Sequence, residues 1–158
     1  MPIAVKVLFQ AIRCGFDAVE ELLQAGEVDI NGFSVSGLSE YFALRSALSL
    51  FPKPEGKKIC ELLLEHGADI HLKNSRGQNL LDSTYYEEHA TEKINFLLEK
   101  GCNFASPLHE AIFFDQKESL KEAQVKEMLE LRDTNGFTPV MVAILMGNLR
   151  WVKNLISL

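Results

Sequence analysis

Three stretches of the chain carry apolar residues at helical spacing and close on one phrase: two leucines, two spacers and a glycine. They are Leu22-Leu23-Gln24-Ala25-Gly26, Leu63-Leu64-Glu65-His66-Gly67 and Leu97-Leu98-Glu99-Lys100-Gly101. Each glycine stands where a helix end needs a left-handed residue. After the first two comes a polar-apolar tail, Glu27 to Asn31 and Ala68 to His71, that turns the chain toward the next segment. The phrase returns at uneven intervals, as a fixed unit with insertions does. A second signal runs from Asp133 to Ala143. There Gly136 serves a tight turn, Thr138 is placed to cap a helix, and Pro139 sits in the first helical turn, where its missing N–H costs nothing. Gly147 then separates this helix from a last apolar-periodic segment ending in Leu155-Ile156. Partial copies of the same opening are Ser106 to Ala111, Asn74 to Asp82, which keeps Gly77 but has Asn79-Leu80 for Thr-Pro, and Phe42 to Ala47.

These two phrases together resemble the ankyrin-repeat family, whose unit is a β-turn or hairpin, a helix opened by T-P-L-H-x-A, and a second helix closed by LL-x-x-G-A-D. The resemblance implies an all-α fold, an ankyrin-repeat solenoid of about five helix-turn-helix units with short or abbreviated β-hairpin connections. The units run approximately 1–31, 32–72, 73–104, 105–132 and 133–158, in a single domain. The first begins directly in its helix, at Leu8 to Gly15, as a capping unit does. Only Cys102 to Ala105 precede Ser106, and Met128 to Gly136 lack the Gly-Ala-Asp segment, so two hairpins must be abbreviated. Phe51 to Lys58 and Asp115 to Gln124 are insertions between the helices of a unit. The second is rich in Lys, Glu, Gln and Ala and is expected to extend a helix. Gly32 to Glu40, rich in Ser and Gly, reads as a longer, looser loop.

A lone helix pair cannot cover its apolar face. Leu22, Leu23, Leu63, Leu64, Leu97, Leu98, Met128, Leu129, Leu155 and Ile156 are therefore expected to bury against neighbouring units. Ala11, Ala47, Ala111 and Ala143 permit close helix approach, and Thr84 takes that place in the third unit. At the far end Ser157-Leu158 are the two spacers and the capping glycine would come next. Val152, Leu155 and Ile156 show little of the polar outer face that a terminal unit needs, so the expectation is a fragment or open-ended domain of a longer protein.

Composition narrows the function. A formal charge of −6 and a pI near 5.2, with Lys57-Lys58 as the one adjacent basic pair, argue against nucleic acid as partner. No apolar run is long enough for a membrane span or signal segment. Three widely spaced cysteines, Cys14, Cys60 and Cys102, form neither a disulfide framework nor a metal motif, which fits a reducing, cytoplasmic setting. His66, His71, His89 and His109 lack ligand spacing, and His109 fills the histidine of the family phrase, which the resemblance makes structural. No nucleophile motif, metal motif or phosphate-binding glycine loop is present, so no catalytic residue, metal or cofactor is expected.

What remains is a set of large apolar pairs just after the alanine of each first helix: Leu50-Phe51, Tyr85-Tyr86, Phe113-Phe114 and Leu145-Met146. In the family these positions face a concave groove. The expected partner-binding residues are therefore Tyr85, Tyr86, Phe113, Phe114, Leu145 and Met146, with one member of a pair, such as Tyr85 or Phe114, able to turn into the core. Arg76, Gln78 and Phe137, with Lys73, Ser75, Thr134 and Asn135, form the rim. The implied function is a non-catalytic, monomeric protein-protein interaction module. The alternative is the targeting or substrate-recruiting arm of a larger bacterial effector enzyme, delivered into a host cytosol, whose catalytic domain lies outside this chain.

Overall fold

Four of the helix starts fall where proline or a short polar side chain sets them. The computed structural model describes residues 3–26, 28–36 and 39–158 of the chain. In chain order the elements are α1 (Ile3–Cys14), α2 (Phe16–Gln24), β1 (Phe33–Ser36), β2 (Ser39–Phe42), α3 (Ala43–Leu48), α4 (Pro54–Glu65), α5 (Ala90–Glu99), α6 (Pro107–Phe113), α7 (Glu122–Met128), α8 (Pro139–Leu145) and α9 (Leu149–Ile156). Pro54, Pro107 and Pro139 each open a helix. Ser106 Oγ accepts the His109 N–H at 3.4 Å at the start of α6, and Asn148 Oδ1 accepts that of Trp151 at 3.3 Å at the start of α9. Thr138, expected to cap α8, is buried and makes no side-chain capping bond.

The glycines after α4 and α5 end those helices as the phrase requires. Gly67 (φ 90°) and Gly101 (φ 95°) lie in the left-handed region. The next N–H groups, of Ala68 and Cys102, reach back to Leu63 and Leu97 carbonyls at 2.9 and 3.0 Å. α6 ends in the same way on Asp115 (φ 54°), whose carboxylate accepts from Asn148 at 3.0 Å and pairs with Arg150 at the start of α9.

α1 packs on α2 and α3, α3 and α2 both pack on α4, α6 packs on α8, and α8 on α9. One apolar cluster runs from Leu8 through Leu48, Ile59, Leu97 and Ile112 to Leu155. The small positions Ala11, Ala47, Thr84, Ala111 and Ala143 are all buried in it. Of the leucine-phrase residues, Leu23, Leu63, Leu97 and Leu155 are buried, and Leu22, Leu64, Leu98, Met128 and Leu129 are half-buried. Ile156 departs from expectation and is 72% exposed. No described helix is long and apolar enough to cross a membrane.

Three local expectations are corrected. Gly32 to Glu40 is not a loose loop where it is described, residues 37 and 38 lying outside the described residues: β1 and β2 pair antiparallel, with Phe33 opposite Phe42 and their rings edge-on at 6.0 Å. The insertion after Phe114 extends a helix only at its end. Lys117–Ser119 form a separate 3₁₀ turn, Leu120 is extended, and only from Glu122 does the segment join α7. The opening helix of the third segment is reduced to one 3₁₀ turn, Asp82–Thr84. Its polar side chains take the backbone partners a helix would use: Asn79 Oδ1 accepts the Asp82 N–H at 2.7 Å, and Ser83 Oγ and Thr84 Oγ1 both donate to the Leu80 carbonyl, at 2.9 and 2.8 Å.

Candidate functional site

Two tight turns of the same build frame the surface. In Asn74–Gln78 the Asn74 Oδ1 accepts the N–H groups of Arg76 and Gln78, each at 3.0 Å. In Asp133–Phe137 the Asp133 Oδ1 accepts those of Asn135 and Phe137 at 2.9 and 2.8 Å. Short acceptors at the first turn position hold such loops. No hairpin lies between the two, because Cys102 to Ala105 is too short to make one, and the later turn reaches back to the earlier one. Thr134 donates its N–H and Oγ1–H to Asp82 Oδ2 at 2.8 and 2.7 Å, and its Oγ1 accepts the Asn79 N–H at 2.9 Å. Gln78 Nε2 donates to Asn135 Oδ1 at 2.7 Å, and Asn135 Nδ2 to the Asp82 carbonyl at 2.8 Å.

Beside this polar joint the aromatic residues collect. Tyr85 stacks on Phe104 (centroids 5.8 Å apart), tilts against Phe113 (5.9 Å) and meets Tyr86 edge-on (5.9 Å). Phe113 and Phe114 are edge-on at 5.0 Å, and Phe104 touches both. Tyr86 lies across Phe137 at 6.3 Å. Such pairs hold rings in fixed orientation, each contributing about 0.5–1.5 kcal/mol beyond its burial.

The expected binding residues separate accordingly. Tyr85 is only 4% exposed and its hydroxyl donates to Asp82 Oδ1 at 2.7 Å, so of its pair it is the member turned into the core. Tyr86 is 45% exposed and Leu145 51%. Phe113, Phe114, Phe137 and Met146 are half-buried. Gln78 is committed to Asn135, while Arg76 is exposed at the tip of its turn, as are Lys73 and Ser75. Tyr85, Tyr86, Phe113, Phe114 and Phe137 thus come together in one cluster. Leu145 and Met146, at the end of α8, stand outside its ring contacts. Phe104 went unremarked in the sequence because it precedes the Ser-Pro opening in a segment too short to suggest a role.

The electrostatics are set by two buried carboxylates. Asp82 is fully buried and accepts three donors. Asp133, also buried, has its Oδ2 without a partner. Burial pushes the Asp133 carboxyl above its ordinary value, the Asp82 charge adds to the rise, and the bonds from Phe137 and Asn135 oppose it. Burial, then the charges of Asp133 and Asp82, push the Tyr86 phenol up to about 12. Burial, then the Asp82 charge and the hydrogen bond to it, push Tyr85 further up. Both hydroxyls stay protonated.

Ser106 Oγ and His109 Nδ1 are 2.8 Å apart, yet both residues are buried, and His109 Nε2 faces the Phe137 carbonyl at 3.3 Å. The pair ties α6 to the Asp133 turn. An open cleft of about 560 Å³ between α2 and α4 is lined by Asp17, Glu55, Lys58, Glu61 and Glu65, without a histidine or cysteine. Among the described residues no His, Cys, Asp and Glu group has a metal-binding arrangement.

No family model matches the chain. A stretch of 90 residues is 28% identical to a protein of Rickettsia bellii named "Putative ankyrin repeat protein". That stretch is 57% of this chain and 12% of the length of the Rickettsia protein. This likeness, with a helical fold that carries one short hairpin among the described residues, fits an ankyrin-like helical repeat and suggests a protein-interaction module.

Proposed function

We propose that the chain is a non-catalytic protein-interaction module: an ankyrin-type stack of about five units, 1–31, 32–72, 73–104, 105–132 and 133–158, that holds a protein partner against Tyr86, Leu145 and the half-buried Phe113, Phe114, Phe137 and Met146. The observation that carries this is Tyr86. An aromatic side chain 45% exposed, fixed edge-on to Tyr85 and against Phe137, presents a large contact area with little rotamer freedom left to lose. Anchors of this kind concentrate binding energy at protein interfaces. Arg76, at the tip of the neighbouring turn, gives the surface a charged rim, with Gln78 behind it.

The test places a photo-crosslinking amino acid at Tyr86 or Leu145, with Glu65 on α4 as the control position, in cells that express the full chain. Discrete adducts from the first two and none from Glu65 are expected, and Leu145→Glu should remove the Tyr86 adduct while leaving the thermal midpoint unchanged. The same adducts from Glu65, or a Tyr86 adduct insensitive to Leu145→Glu, would sink the assignment.

A further inference from the structure

Glycine follows asparagine twice in the chain, at Asn31-Gly32 and Asn135-Gly136, each inside an Asp-x-Asn-Gly-Phe run. This pairing is the one most open to spontaneous deamidation, because glycine has no side chain to keep its nitrogen from the asparagine Cγ. The glycine nitrogen attacks Cγ and gives up its proton, the Cγ–Nδ2 bond breaks, and Nδ2 leaves as ammonia, closing a cyclic imide. Water then adds to one imide carbonyl. Opening at the side-chain carbonyl leaves aspartate, and opening at the main-chain carbonyl leaves isoaspartate. Water is the one co-reactant.

Both amides are held away from that reaction by the same means. At Asn31, Nδ2 donates to the Gly67 carbonyl at 3.1 Å and Oδ1 accepts the Asp69 N–H at 2.8 Å, while the Gly32 N–H donates to the Asp29 carbonyl at 3.2 Å. At Asn135, Nδ2 donates to the Asp82 carbonyl at 2.8 Å and Oδ1 accepts from Gln78 Nε2 at 2.7 Å, while the Gly136 N–H donates to the Asp133 carbonyl at 2.9 Å. In each turn the attacking nitrogen is committed to a carbonyl and the amide reaches to another segment, so attack needs all three bonds to open together. The bonds of Asn135 are shorter and half-buried, whereas those of Asn31 lie at the surface. Asn31 should react first, and Asn135 only as often as the joint with Asp82 and Gln78 opens.

The geometry points to Asn135-Gly136 as a latent deamidation site, locked while the joint is closed and untying the joint once converted. Aspartate in place of Asn135 has no donor for the Asp82 carbonyl, and it sets a further carboxylate beside Asp82 and Asp133, both buried. Isoaspartate also lengthens the backbone of a turn in which Asp133 Oδ1 must reach the N–H groups of Asn135 and Phe137. Phe137, which packs on Tyr86, stands in that turn. A chain whose joint has reacted once therefore keeps an altered surface. At Asn31 the same chemistry touches the bonds to Gly67 and Asp69 alone.

The experiment incubates the full chain at mildly alkaline pH, native and in urea, and follows conversion at each site by mass spectrometry of proteolytic peptides. In urea the two sites should react at similar rates. In the native chain Asn135 should be slowed by at least about a hundredfold, and by more than Asn31. Gln78→Ala, which removes one bond to the amide, should speed native conversion at Asn135 about fivefold and leave Asn31 unchanged. Asn135→Asp should lower the urea midpoint by more than Asn31→Asp does. Native conversion at Asn135 as fast as in urea overturns the assignment. So does a Gln78→Ala rate that is unchanged at Asn135 or raised equally at Asn31, or an Asn135→Asp chain as stable as the wild type.

Discussion

Asp82 carries the joint between turns more than fifty residues apart, and replacing it by alanine is the sharpest test of how the chain is tied together. Its carboxylate is fully buried and accepts the Tyr85 hydroxyl and both donors of Thr134, all between 2.7 and 2.8 Å. A hydrogen bond to a charged group is worth about 1.5–3 kcal/mol, and a buried donor left without a partner costs about 1–3 kcal/mol. Relief of the repulsion between Asp82 and Asp133 offsets part of that loss. The net expectation for Asp82→Ala is a loss of about 4 kcal/mol, a large share of a total near 5–15 kcal/mol. Thr134→Val keeps the backbone N–H bond to Asp82 but removes the Oγ1 donor and strands the Asn79 N–H, for about 2 kcal/mol. Because the two variants remove one shared bond, the double variant should lose about 1–2 kcal/mol less than their sum. Urea unfolding with an unchanged slope reads all three values. Strictly additive losses, or a loss below about 1 kcal/mol for Asp82→Ala, would refute the joint.

Two further expectations follow from burial of ionisable groups. The Asp133 carboxyl titrates above its ordinary value of 3.8 in the folded chain, so the folded chain takes up that proton while the unfolded chain is still ionised. Stability of the wild type relative to Asp133→Asn should therefore rise as pH falls through the raised value, and level off below about 3.8, measured by urea midpoints from pH 7 downward; a difference flat in pH contradicts it. Burial, with the Glu61 charge adding, pushes the Cys60 thiol well up, and burial, then the Asp82 charge, pushes Cys102 up to about 11, whereas Cys14 is exposed. Ellman's reagent at mild alkaline pH should titrate one thiol promptly in the native chain and all three in denaturant; a second prompt thiol would place Cys60 or Cys102 at the surface.

What could be read from the sequence is what a few adjacent residues decide. A glycine after two leucines and two spacers fixes a helix end locally, and Gly67 and Gly101 adopt the left-handed conformation with the expected backbone bonds. Ser106-Pro107 and Pro139 open helices for equally local reasons. Local spelling misleads where a distant residue decides. Asn79, Asp82, Ser83 and Thr84 looked like a variant helix opening, but Thr134 claims Asp82 and the hydroxyls turn back on Leu80, so a single 3₁₀ turn forms. Phe33 and Phe42 flank a Ser- and Gly-rich run that reads as a loop until their edge-on contact is seen to close a hairpin. Ile156 follows the leucine pattern in spelling, and its exposure depends on what lies against α9.

The missing hairpin before Ser106 links the stability of the chain to its surface. Because the backbone passes directly from Gly101 to Ser106, Phe104 drops in beside Tyr85 and Phe113, and the Asp133 turn closes over Asp82. Tyr85 is drawn inward by the same carboxylate, which leaves Tyr86 as the ring that still faces solvent at 45% exposure. Replacing Phe113 would therefore disturb Tyr85, Phe104 and Phe114 together, at about the 3–5 kcal/mol typical of emptying an aromatic site, and lost recognition could not be told from loosened packing. Among the rings Tyr86 meets only Tyr85 and Phe137, and Leu145 is 51% exposed. Those two side chains are therefore where the proposed surface can be tested without emptying the aromatic packing around Phe113.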